Sequence, residues 1–335
     1  MIQEHFKKTF LKGDILTDIL GQDVIKHDLK SALLVGRHIL IIGPPGIGKT
    51  TLAKNVSKLL PEIEVNDCGY HCDPKNPQCP ECRAGKSKKK TISGAERFVR
   101  IQGSPDLTAE DLIGDIDPAK AMQYGPLSIQ AFTPGKIFKA NNGVLFFDEL
   151  NRCPEKLQNA LLQALQEGYV TIGSYDVDLQ ANFIFVATMN PEDSNTEKIA
   201  DVLLDRFDVI YMDYPEKLDT EIKIVKKSGK SIVNFPDKLL SAGILFIRIL
   251  RANKDVEKKP GVRASIGLYE RAQANAFLAN RDTVTSIDLK DAIISVVAHR
   301  IKLKPSMSYL TNEIDFIKEQ MEKFLEENLK KSDFT

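Results

Sequence analysis

The sequence predicts an α/β chain: a three-layer α/β/α domain built on a parallel sheet, followed by a smaller helical domain. Two observations carry this. Over the first two thirds, short uninterrupted apolar runs alternate with helical patterns, and runs of that kind suit strands covered on both faces. After Pro215 the strand-like runs give way to helical periodicity. The expected division is residues 1–215 and 216–335, and a chain of this length accommodates about two domains.

In order, Arg37–Ile42 reads as a buried strand, followed by a Gly/Pro turn and a helix reaching Leu60. Phe98–Ile101, Val144–Phe147, Phe183–Val186 and Val209–Met212 read as further strands. Between the third and fourth of the five strands lie Leu157, Leu161 and Leu165 at helical spacing. Strand, helix and strand in succession argue for layers. The stretch Pro74–Lys90 is the least able to pack by itself. From Ile222 to Leu329 the pattern is helical, with Asp282–Thr285 the main strand-like interruption. Ile314, Ile317, Met321, Phe324 and Leu325 share one stripe, expected to pack on the helical domain.

Charge balance narrows the function. The chain has 46 Lys+Arg and 46 Asp+Glu, so its net charge is zero. That argues against a general polyanion-binding surface, though not against a local basic groove. The longest apolar runs, Ile39–Ile42 and Gly243–Ile247, fall far short of the ~20 residues a bilayer needs. Met1–Lys8 carries an acid early and no apolar core, so no secretory signal is expected. Four of the five cysteines crowd between Cys68 and Cys82, which suits a reducing cytoplasm better than a secreted disulfide scaffold.

Gly43-Pro44-Pro45-Gly46-Ile47-Gly48-Lys49-Thr50 fits G-x-x-x-x-G-K-[ST], between an expected strand and an expected helix. Glycines let backbone N–H groups turn toward phosphate oxygens, and the helix N-terminus adds favourable partial charge. Lys49 can then reach the β- and γ-phosphates, and the Thr50 hydroxyl can coordinate Mg²⁺, with Thr51 beside it. A plain connector would not satisfy every fixed position, so nucleoside triphosphate binding is expected. Gly143–Glu149 is an apolar strand ending in two acids, where open α/β sheets place ligands. Asp148 suits the Mg²⁺ shell and Glu149 the attacking water, which favours hydrolysis over passive binding.

Val144–Glu167, with Phe132-Thr133-Pro134-Gly135 before it and Gly168–Ile172 after it, resembles the Walker B region of MoxR-type AAA+ ATPases. Arg100–Leu107 is similar to the second-strand segment of that family. Asp111–Asp117 with Ala131–Lys136 resembles the ATPase subunit of magnesium chelatase, and the likeness runs from Leu20-Gly21-Gln22 to about Arg300. Both families carry an insertion after the second strand, so residues 104–140 are expected to form it. The resemblance implies ATP and Mg²⁺ as cofactors and an adenine wall at Ile19, Leu20 and Gly21. It implies a sensor 1 residue at Asn190, an arginine finger at Arg206 acting on a neighbouring subunit, and a sensor 2 arginine at Arg263. Gly261-Val262 precede Arg263 where MoxR proteins usually have Ser-Pro. The implied assembly is a ring, expected to be a hexamer. The implied work is remodelling of a protein partner or metal insertion, commonly beside a partner with a von Willebrand factor A domain. A nucleic-acid motor of the MCM kind is the alternative, which the neutral charge disfavours; a nucleotide-gated scaffold is another.

Cys68-x3-Cys72-x6-Cys79-x2-Cys82 sets four thiols in one polar loop. Four thiolates could hold Zn²⁺ tetrahedrally and supply folding free energy that the loop lacks. Free thiols or a redox pair is the other reading, and His71 is a substitute ligand. Cys153 is expected to be a small buried residue, and Lys86–Lys90 a solvated tip.

Overall fold

The structure is a computed structural model and describes residues 2–11, 13, 15–85, 87–172, 177–191, 193 and 199–329. Five strands form one sheet: β1 (His38–Ile42), β2 (Phe98–Gln102), β3 (Val144–Asp148), β4 (Ile184–Met189) and β5 (Phe207–Tyr211). Their order across the sheet is β5-β1-β4-β3-β2, and every neighbouring pair is parallel. Residues Val144 to Phe147 of β3 are all buried, as an uninterrupted apolar run in a doubly covered sheet requires. The five expected strands are thus the five sheet strands. One boundary differs informatively: β4 runs beyond Val186 through Thr188, whose buried hydroxyl finds partners on β3.

Helices α1 (Ile2–Phe10), α2 (Asp23–Leu34), α3 (Lys49–Lys58) and α4 (Glu155–Glu167) accompany the sheet. The second packs on β1 and β5, the third on β3 and β4. Leu157 and Leu161 bury the inner stripe of α4. It ends at Gly168, whose φ of 68° supplies the left-handed cap that side-chain-bearing residues resist. Three hairpins project from this frame. Ile63–Asn66 pairs with Lys89–Ile92 around the cysteine loop, Gly114–Ile116 with Phe132–Pro134 in the insertion, and Tyr169–Ile172 with Val177–Gln180. Lys90 and Lys89 of the basic run sit on a strand and pair with Asp67 and Glu64; Lys86 lies outside the described residues.

The chain forms two compact units. One comprises the residues up to Gly43 and those from Gly48 to Met212; the other comprises Pro44–Ile47 and the residues from Asp213 onward. The second unit holds α5 (Leu218–Ser228), α6 (Asp237–Ala252), α7 (Val262–Leu278), α8 (Ser286–Val297) and α9 (Glu313–Leu329). Asp282–Thr285 forms no strand of its own there. Thr285 caps α8 reciprocally with Asp288, and the stretch keeps only a single bridge, Asn234 to Thr283. A two-stranded pairing of Val256–Lys258 with Lys302–Leu303 takes the strand role instead. In α9, Ile317 is buried and Met321 and Phe324 pack on the helical core, whereas Ile314 faces outward. Inside this unit Glu221 is fully buried. It accepts from Arg251 at 2.9 and 3.0 Å, from Arg248 at 3.0 Å and from the Ser265 hydroxyl at 2.7 Å. Burial alone would raise its pKa; the guanidinium of Arg251, then Ser265 and Arg248, outweigh burial and hold it below the usual carboxylate range.

Candidate functional site

Parallel pairing puts all five C-terminal strand ends on one edge of the sheet. Ile42 is in register with Met189 and with Tyr211, Phe147 with Ala187, and Asp148 with Gln102. The glycine-rich loop leaves β1 at Gly43, whose N–H donates to the Met189 carbonyl at 3.2 Å. Gly46 and Gly48 have φ of 80° and 101°, so only glycine turns the loop back at those positions without strain. Such a turn into a helix aims successive N–H groups at one point, which suits phosphate oxygens. Lys49 opens α3 and donates to the Gly43 carbonyl at 2.5 Å, holding its ammonium at the mouth of the loop. Thr50 and Thr51 follow it on the first turn.

Asp148 and Glu149 end β3 on this same edge. The Asp148 carboxylate accepts from the Thr188 hydroxyl at 2.7 Å and from Arg100 at 2.6 Å. Thr188 also accepts the Glu149 N–H at 2.9 Å, so one hydroxyl of β4 fixes both acids. Glu149 itself is left-handed, with φ 59° and ψ 55°, a conformation that costs a side-chain-bearing residue about 1–2 kcal/mol. This turns its carboxylate toward β2, where Gln102 donates to it at 2.9 Å and Arg152 lies 3.3 Å away. Gly103 permits the approach: an added Cβ there would fall 2.0 Å from the Glu149 carbonyl oxygen.

Thr188, Arg100, Gln102 and Arg152 were not among the expected site residues. The available cue was the polar alternation Arg100-x-Gln102 at the end of an apolar strand; it becomes informative only once β2 is known to flank β3. Asn190 directly follows β4, and its carbonyl accepts from Asn151 at 3.3 Å.

Arg206 lies elsewhere. It immediately precedes β5, whose Phe207 is in register with His38 at the start of β1. It therefore sits at the N-terminal edge of the sheet, while the glycine-rich loop leaves the opposite edge. Five residues of strand separate the two edges, a span of about 16 Å at ~3.3 Å per residue. Its Nη1 donates to the Val202 carbonyl at 2.5 Å, and its buried Nε has no partner among the described residues. Arg263 lies in the first turn of α7 within the second unit, an exposed residue with its stem over Gly46: a Cβ on that glycine would meet the Arg263 Cγ at 3.1 Å. Ile19 is buried, and Leu20 and Gly21 lead into α2.

The four loop cysteines converge. Their Sγ atoms all lie within 4.8 Å of one another, and none forms a disulfide. Hydrogen bonds from the Cys68 and Cys79 thiols hold Cys72 below the usual thiol range, and Cys79, on the donating side, is raised. His71 stays outside the cluster. Cys153 is fully buried, and burial pushes its thiol up to about 12.

Comparison with known proteins gives the arrangement a family. Residues 15–71 match the magnesium chelatase subunit ChlI, residues 84–209 the ATPase family associated with various cellular activities (AAA), and residues 258–319 the AAA lid domain. A magnesium-chelatase subunit ChlI homolog of Methanocaldococcus jannaschii is 29% identical, covering 86% of this chain and 86% of its own. The chloroplastic magnesium-chelatase subunit ChlI-2 of Arabidopsis thaliana is 27% identical, covering 86% of this chain and 75% of its own. In fold, the chain is similar to a structure from the complex of magnesium chelatase subunits BchI and BchD. The TM-score is 0.50 at 22% identity, over 88% of this chain and 98% of the other. Among the described residues no helix is long and apolar enough to cross a membrane. The sheet, its glycine-rich loop and these matches identify the chain as an AAA+ ATPase, an enzyme that hydrolyses ATP, and make it similar to the magnesium chelatase subunit ChlI.

Proposed function

We propose that the chain hydrolyses ATP at the interfaces of a homo-oligomeric ring, and that the ring remodels a protein partner or drives metal insertion. The carrying observation is the separation of Arg206 from Lys49, Asp148 and Glu149. Three of these residues share one edge of the sheet and the arginine occupies the other. A guanidinium that far from its own glycine-rich loop can meet a phosphate only on a neighbouring copy. Repeating that head-to-tail contact generates a closed ring or an open filament; a hexameric ring is the form expected here.

Each residue then has a task set by its chemistry. The loop N–H groups and Lys49 would bind the phosphates, while Thr50 and Asp148 would hold Mg²⁺, which would offset the phosphate charge. Glu149 orients the attacking water and takes its proton, and Asn190 helps place that water. Arg206 of one copy steadies charge developing on the γ-phosphoryl group bound by the next. Arg263, beside Gly46, contributes a further cation toward the phosphates. Ile19, Leu20 and Gly21 are assigned to the adenine. A protein partner carrying a von Willebrand factor A domain would receive the resulting motion. The cytoplasm suits the chain's free thiols.

Mixing variants tests the shared site. Lys49→Ala and Arg206→Ala chains should each lose about 10³-fold or more in turnover. Mixed oligomers should regain part of it where an intact pocket meets an intact arginine. Verified mixed oligomers with no recovery would remove the arginine from the neighbouring site. Full turnover by Lys49→Ala alone would remove the pocket itself.

A further inference from the structure

We infer that Cys68, Cys72, Cys79 and Cys82 hold one zinc ion as a tetrathiolate, and that this ion fixes the base of the inserted hairpin Gly114–Ile116/Phe132–Pro134. The site is independent of the nucleotide chemistry above.

The geometry fits a single ion. Zinc–thiolate bonds of ~2.3 Å in a tetrahedron set sulfurs about 3.8 Å apart, and here all four Sγ atoms lie within 4.8 Å of one another. Cys72, Cys79 and Cys82 are buried, and four thiols so close cannot all ionise without a cation among them. The backbone is arranged for negative sulfur: the Cys72 N–H points at Cys68 Sγ, and the Gln78 and Cys79 N–H groups at Cys72 Sγ, each at 3.4 Å. The Ser87 hydroxyl lies 3.1 Å from Cys82 Sγ. The polar chain between the cysteines offers little else to order it. Backbone bonds close its base, among them Asn66 N–H to the Cys72 carbonyl at 2.9 Å and Asp67 N–H to the Lys88 carbonyl at 2.7 Å.

The loop so closed grips the insertion. Gly69 lies against Pro134, so that an added Cβ would meet the proline Cγ at 2.9 Å. The short helix Pro80–Arg83, which carries Cys82, packs on the Ile129–Ala131 turn that feeds the second hairpin strand. Tyr70 meets Phe138 with ring centroids 5.7 Å apart, and Phe138 in turn meets Phe132 of the hairpin at 6.3 Å. The Asn141 amide donates to the Tyr70 carbonyl at 3.4 Å. Ordering the cysteine loop therefore orders the surface on which Phe132–Pro134 rests.

The test uses the full chain purified without chelator. Elemental analysis should find one zinc per chain, and titration with a mercurial should release it in step with loss of the four thiols. Replacement by Co²⁺ should give thiolate-to-metal charge-transfer absorption with tetrahedral ligand-field bands. Hydrogen exchange across residues 114–134 should accelerate about tenfold or more on stripping, while binding of a non-hydrolysable ATP analogue persists. Gly69→Ala keeps every ligand, so it should retain zinc yet loosen the same hairpin. Lys49→Ala should retain both zinc and hairpin protection. Metal far below one per chain, or iron in its place, would overturn the zinc site. Unchanged hairpin exchange after stripping would overturn its structural role.

Discussion

At the scale of single residues, the site depends on charges that sequence neighbours do not reveal. Arg100 pairs with Asp148 across the β2–β3 register, so it competes with Mg²⁺ for that carboxylate. Arg100→Ala should lower the Mg²⁺ concentration for half-maximal ATPase activity several-fold, read by titrating the metal at saturating ATP; an unchanged midpoint would show that the pair does not matter. The acids themselves were legible, because two carboxylates after four apolar residues stand out in any sequence. Their holders were not. Thr188 is an ordinary residue inside a strand, and its double role appears only when β4 lies beside β3 with its hydroxyl 2.7 Å from Asp148. Arg206 was legible by resemblance, but its place on the far edge follows from the register of β5 with β1.

At the scale of elements, the close approach of the loop after β2 to the end of β3 is the tightest constraint. The Gly103 N–H donates to the Asp148 carbonyl at 2.7 Å, and no Cβ fits there. Gly103→Ala should therefore push the two strand ends apart. The expected cost is about 1–3 kcal/mol in denaturant unfolding, with a larger fall in turnover because Glu149 moves with its backbone. A variant with normal turnover would show that the approach is slack. Strands announced themselves because each is dominated by a short apolar run. The hairpins did not: Gly114–Ile116 and Phe132–Pro134 are three residues each, too short for any periodicity. Asp282–Thr285 misled for the converse reason, since Thr285 serves a helix as its cap.

At the scale of the whole molecule, each unit has its own core and its own weak point. In the helical unit that point is Glu221. Glu221→Ala strands the buried guanidinium of Arg251 and the half-buried one of Arg248, and should cost about 3–5 kcal/mol. The sign of the pH effect follows from its lowered pKa. Stability from this carboxylate is complete above its ordinary range of about 4 and is lost as pH falls through the still lower value in the folded state. The gap between wild type and Glu221→Ala should therefore narrow in acid when denaturation midpoints are compared. The position of Arg206 has a further consequence. If Arg206 serves a neighbouring pocket as proposed, copies stacked in an open row leave one pocket at the end with no arginine delivered to it, and a lone copy leaves its own pocket unserved. Only circular closure serves all of them. Dilution past the assembly threshold should therefore lower the rate per chain steeply while each chain still captures its nucleotide, so cellular abundance alone becomes a throttle on the motor.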